Sequence, residues 1–269
     1  MRIRAGFDIT YECPAPASAV LTLNVHPSRQ HDLITPDILS NNRGVEMGQY
    51  LDSFGNICTR VLLPAGSTTF SSNFVIQDTG LPDPVLPDAK LTRVEALPDD
   101  VMLFLLGSRY CETDRMSEFA WSLFGSTPPG WARVQRIVDY THARIAFGYP
   151  NARATRTAWE AHEEGMGVCR DFAHLAVTLC RCMSVPARYC TGYLGDIGVP
   201  AVDAPMDFSA WFEAYLDGEW HTFDARHNTP RIGRILIARG RDATDVAIAT
   251  TYGAATLTGF QVMTDEIRP

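Results

Sequence analysis

A cysteine opens a helical pattern in GMGVCRDFAHLAVTLCRCM, residues 165–183. Gly165 and Gly167 free the backbone just ahead of it, and Cys169 falls in the first turn. There the unpaired N–H groups and the positive dipole end favour an anion. A thiolate is such an anion, so the position predicts a lowered thiol pKa and a nucleophile. The same N–H groups could hold an oxyanion during acyl transfer. The competing reading is a buried structural cysteine, a common fate of this residue. Cys180 lies three turns further along the same face and reads as core. Asp171 and His174 are three residues apart and can pair, with His174 as a structural histidine.

A second group of polar residues lies in SAWFEAYLDGEWHTFDARHN, residues 209–228. Asp217-Gly218 predicts a two-residue hairpin turn. That register sets Leu216 opposite Glu219, Ala214 opposite His221, Phe212 opposite Phe223 and Trp211 opposite Asp224. Ser209 then shares a sheet face with Asp224, diagonally across. His221 has the other parity and should point through the opposite face. His227 follows Asp224 in a loop, so parity does not bind it, and it can curl back toward Ser209 and Asp224. As a base for Cys169, His227 ranks first, then His162, then His174. The alternative for His227 is a loop histidine capping neighbouring carbonyls.

GVCRDFAHLAVTLCRCMSVPARYCTGYL, residues 167–194, resembles the core motif of the bacterial transglutaminase-like family, thiol acyl-transfer folds related to papain-type cysteine proteases. The resemblance spans essentially the whole chain, with its strongest motifs in 158–241. It implies Cys169 as nucleophile, a histidine at the start of a later strand as base, and an aspartate on the next strand to orient it. The family pattern HAWxE…W…FDP reads SAWFE…W…FDA here. Asp224 matches the orienting aspartate, and Ser209 stands at the base position. Serine cannot take a proton from a thiol near neutral pH as imidazole can. PRIGRILIARGRDATDVA, residues 230–247, resembles a bacterial subgroup carrying this FSAW variant.

Ile3, Ala5, Phe7, Ile9 and Tyr11 alternate with mostly polar residues, as do Leu21, Leu23 and Val25, and Ile57, Thr59, Val61 and Leu63. These are half-buried strands of a small sandwich. Asp78–Pro98 carries four prolines and predicts a linker without regular structure. Helical stripes follow at Met116, Phe119, Ala120, Leu123 and Phe124, and at Trp131, Val134, Val138, Thr141 and Ile145. A shorter helix near Thr157–Glu164 stops at Gly165. Period-two strands resume after Pro186. The fold class expected is therefore α+β, with an N-terminal β-sandwich-like domain over residues 1–95 and a transglutaminase-like domain of helices on an antiparallel sheet over 96–269.

Composition bounds the partners. Formal net charge is −8, without a Lys/Arg run that would grip phosphates, so nucleic acid is not expected. No stretch approaches a membrane span, and the alternating N-terminus is no signal-peptide core, which points to a cytoplasmic chain. Seven unpatterned cysteines suggest reduced thiols. Without C-x-x-C or H-E-x-x-H, neither metal nor cofactor is expected. Arg226, Arg231, Arg234, Arg239 and Arg241 read first as ion pairs, with a carboxylate- or phosphate-recognising rim as the functional alternative.

Two functions remain. One is a cysteine-dependent peptidase, amidase or acyl transferase acting on a peptide, protein or small amide, with Cys169 as nucleophile, Asp224 orienting and His227 as relocated base. The other is a fold with a broken triad that binds a peptide or protein.

Overall fold

A computed structural model describes residues 1–202 and 205–268. The strands are β1 Arg2–Cys13, β2 Ala17–Leu21, β3 Ser40–Asn41, β4 Met47–Leu51, β5 Ile57–Leu63 and β6 Gly66–Gln77. Then come α1 Asp99–Met102, α2 Thr113–Phe124, α3 Trp131–Arg144, β7 Ala146–Phe147, α4 Ala158–Glu164, β8 Met166–Gly167 and α5 Cys169–Cys182. The chain finishes with β9 Ala187–Tyr193, β10 Ser209–Leu216, β11 Glu219–Phe223, β12 Ile235–Gly240, β13 Ala249–Tyr252 and β14 Thr256–Ile267.

Two four-stranded sheets, in the orders β14-β1-β6-β3 and β13-β2-β5-β4, enclose Ile3, Phe7, Leu21, Leu63, Phe70 and Phe74. Strict alternation in β1 and β6 puts these residues on one face and the polar ones on the other. The last two strands return to this unit: β14 pairs along the length of β1, and β13 pairs with β2. The sandwich is thus closed by the C-terminus. Its core runs on without a break into Tyr193, Phe208, Ala210, Ile235 and Ile237 of the third sheet.

That third sheet, β11-β10-β9-β12, carries the helices. Leu175, Ala176 and Leu179 of α5 pack with Phe212, Ala214 and Leu216 of β10. All of these are buried, so α5 is fixed on the sheet along its length. The architecture is α+β, helices on antiparallel sheets, as the periodicities predicted. In α2, Met116, Ala120 and Phe124 are buried as expected, but Leu123 is exposed. Its place at the edge of the stripe turns it out of the contact.

The proline-rich segment has one short turn, Val94–Ala96, and otherwise no regular element. It works as a strap. Asp217 N–H donates to Lys90 O at 2.9 Å, and Lys90 N–H donates to an Asp217 carboxylate oxygen at 3.0 Å. Asp83 on the same strap accepts from Arg231 N at 2.9 Å and from Arg234 Nε.

Candidate active site

Cys169 is the first residue of α5. Asp171 anchors that helix start: its Oδ2 accepts the Val168 N–H at 2.8 Å and meets Arg156 at 3.2 Å. Gly167 is needed there, because a Cβ would lie 2.6 Å from Asp171 Oδ2. Gly165 ends α4 in the left-handed region, at φ 64°. The two glycines let the chain turn sharply from α4 into α5, as their spacing suggested.

The expected pairing of Asp171 with His174 does not form. Arg156 holds Asp171, and His174 turns away to accept the Ala243 N–H at Nε2, 3.1 Å, while stacking on Tyr110. It is fully buried, and burial pushes its pKa down. His162, the other alternative base, packs on Phe119 and hydrogen-bonds Tyr140 Oη at 3.1 Å. Neither imidazole lines the cavity at Cys169. Cys180 is fully buried in the helical core.

The hairpin follows the parity argument. Asp217 and Gly218 both have positive φ, 50° and 85°, and the register pairs Phe212 with Phe223, Ala214 with His221 and Leu216 with Glu219. His221 points through the helix-bearing face, where its Nε2–H donates to Leu216 O of its own hairpin and its ring meets Trp131 edge-on.

Asp224 ends β11's extension and is 6 % exposed. Its Oδ1 accepts the backbone N–H groups of Arg226 and His227, each at 3.0 Å. Its Oδ2 accepts His227 Nδ1 at 2.8 Å and an Arg234 N–H at 2.9 Å. Burial alone would raise this carboxyl, but Arg234 and the His227 contacts outweigh it and hold it well below the usual carboxylate range. Arg234, itself buried, is braced by Asp83 of the strap. A carboxylate fixed at four points therefore orients one imidazole. With Nδ1–H given to Asp224, His227 keeps Nε2 as its lone-pair nitrogen.

His227, Ser209 and Cys169 line one cavity of about 380 Å³, within the roughly 300–1,000 Å³ of small-molecule sites. Phe147, Tyr149, Leu194, Met206 and Phe208 form its apolar wall. Ser209 is 5 % exposed, and its hydroxyl has no partner among the described residues. Among those residues no hydrogen bond joins the Cys169 sulfur to an imidazole.

The expected fall in the thiol pKa is reversed. Burial pushes Cys169 up to about 11, and Asp207 and Asp224 add to that, while Arg226 and the Ala210 N–H oppose it. Desolvation of the sulfur wins over the helix end because the thiolate would lose more in hydration than Arg226 and the Ala210 N–H return. Alkylation of Cys169 in the unliganded protein is accordingly expected to climb with pH until about 11. A rate that levels near ~8.5, the free-thiol value, would contradict the buried geometry.

Of the residues the sequence singles out, Cys169, Ser209 and His227 line this cavity and Asp224 holds His227; Asp207 and Tyr149, which also line it, lie outside the periodic elements and carry no sequence signal. The ion-pair reading of the arginines holds for Arg231, Arg234 and Arg241, which meet Asp196, Asp224 and Asp245. Among the described residues no helix is long and apolar enough to cross a membrane, and no three His, Cys, Asp or Glu side chains converge as a metal site would require.

The helix that opens on Cys169 packs here against an antiparallel sheet. Residues 119–225 match the family model described as the transglutaminase-like superfamily. The solved structure of a candidate cysteine protease from Cytophaga hutchinsonii superimposes with a TM-score of 0.86 at 28 % identity, covering 100 % of this chain and 91 % of that one. An uncharacterised protein of Mycobacterium leprae is 25 % identical, over 92 % of this chain and 90 % of its own length.

Proposed function

We propose that the protein is a cysteine-dependent acyl-transfer enzyme, a peptidase, amidase or acyl transferase, with its general base moved from the position of Ser209 to His227. The observation that carries this reading is that His227, held by Asp224 at 2.8 Å, lines the cavity that holds Cys169. A buried carboxylate that orients an imidazole beside a thiol is an arrangement suited to base-assisted attack. The similarity to a candidate cysteine protease points the same way.

In the proposed reaction His227 Nε2 takes the thiol proton as sulfur attacks the carbonyl carbon. The S–C bond forms, and the carbonyl electrons move to oxygen. The N–H groups at the start of α5 would stabilise the charge on that oxygen. The C–N bond then breaks, and the leaving amine takes the proton from His227. Water or a second amine releases the acyl group. A stoichiometric nitrophenolate burst from nitrophenyl acetate, with the acetyl group mapped to Cys169, tests this. No burst, or one that persists in Cys169→Ala, would sink it.

The raised thiol and the missing sulfur–imidazole contact favour a second reading, a peptide- or protein-binding fold that no longer turns over. Ser209→His separates the two. If the base has moved, a second imidazole at Ser209 is expected to change turnover by less than about tenfold, against the 10²–10⁴-fold a new general base supplies. A large gain from an inactive parent would favour the binding reading.

A further inference from the structure

One guanidinium in the cavity is not used by the proposed acyl transfer. The backbone of Arg226 is pinned by Asp224, and its guanidinium carbon lies 3.9 Å from the centroid of the Phe147 ring. Among the described residues its side chain makes no ion pair, unlike Arg231, Arg234 and Arg241. It lines the same cavity as Cys169.

Resting on the acyl-transfer reading, we propose that the site takes amide or ester substrates carrying a carboxylate beside the carbonyl attacked, and that Arg226 reads that carboxylate. Stacking on Phe147 occupies one face of the guanidinium and Tyr149 shares one of its N–H groups, which leaves the remaining in-plane N–H groups for a carboxylate. The apolar wall of Leu194, Met206 and Phe208 lowers the local dielectric, which strengthens such a pair. Asp207 lines the same cavity within the field of Arg226, so a substrate carboxylate competes with it for the guanidinium and a second anionic group is disfavoured. Arg226 is not consumed by a resting thiolate either, since the thiol stays protonated far above neutrality.

Iodoacetate and iodoacetamide provide the test on the full chain. Both form the same S–C bond as iodide leaves, and they differ only in carboxylate against carboxamide. Peptide mapping separates Cys169 from the six buried cysteines. The iodoacetate-to-iodoacetamide rate ratio at Cys169 is expected to exceed that of the unfolded chain by about tenfold, the size of one charge-assisted contact. Arg226→Gln should return it to the unfolded ratio, and Arg226→Lys should keep part of it. Any change Arg226→Gln makes in thiol ionisation affects both reagents alike and cancels in the ratio. A ratio unmoved by Arg226→Gln overturns the proposal.

Succinate binding to Cys169→Ala, followed by NMR titration against succinamide, reads the same contact without chemistry. Selective succinate binding that Arg226→Gln abolishes supports the anion site even if the nitrophenyl acetate burst fails and acyl transfer falls. Equal binding of both compounds overturns the anion site even if the burst is seen.

Discussion

Replacing His227 by Gln is expected to slow acylation of Cys169 by about 10²–10⁴-fold, the range a positioned general base supplies. Glutamine can still donate to Asp224 but cannot take a proton. The loss should be near the upper end, because the thiol sits at about 11 in the unliganded protein. At neutral pH only roughly one sulfur in 10⁴ is then ionised without help. His227 is partly exposed, with 22 % of its side chain accessible, so its removal should leave the unfolding midpoint nearly unchanged. Single-turnover kinetics with an activated ester, alongside urea unfolding, would resolve the two effects. Acylation that proceeds at the parent rate in His227→Gln would remove His227 from the mechanism.

Asp224→Ala should act on both rate and stability. The substitution frees His227 to rotate and strips a partner from Arg234, which is only 8 % exposed. Breaking a buried pair by removing one member typically costs about 3–5 kcal/mol. Asp83 still holds Arg234, so a loss near 3 kcal/mol is expected. The orphaned Arg226 and His227 N–H groups lie at the loop surface, where water can replace the carboxylate. Combining Asp224→Ala with Arg234→Met should recover part of the loss, since no unpaired charge then remains buried. If the double variant is less stable than the sum of the two single changes, charge pairing is not what holds this network.

The pH dependence follows from the same carboxylate. Its folded pKa is depressed, so its stabilising contribution is complete above the unfolded value of ~3.9. The contribution is lost as pH falls through the lower folded value. The stability gap between parent and Asp224→Ala should therefore be flat from neutral pH down to about 5 and shrink only in strong acid. A gap that closes already near pH 6 would mean that another group titrates in its place.

Local signals in the sequence carried far in this chain. The period-two alternation of β1 and β6, the Asp217-Gly218 turn, and the glycines before Cys169 each act within a few residues, where backbone sterics and one buried face decide the outcome. The hairpin register can be counted from the turn, and it sets His221 opposite Ala214, on the sheet face away from Asp224. Signals that depend on distant neighbours were not legible. Asp171 and His174 have the right spacing to pair, yet Arg156 and the Ala243 N–H, from other parts of the chain, take them instead.

The thiol pKa failed for the same reason. A helix start is visible in sequence, but the wall of side chains that dries the sulfur comes from several separate segments. Desolvation is a property of everything that surrounds a group, so it has no sequence signature. The sequence by itself determined the α+β class, the cysteine at a helix start, the aspartate closing a hairpin and the serine where an imidazole was expected. Only the tertiary structure decided that the last strands complete the first sheets, that His227 and not His162 or His174 stands in the cavity of Cys169, and that Arg234 and the strap hold Asp224 in place. Those choices lie between residues far apart in the chain, and packing and charge pairing settle them once the backbone has closed.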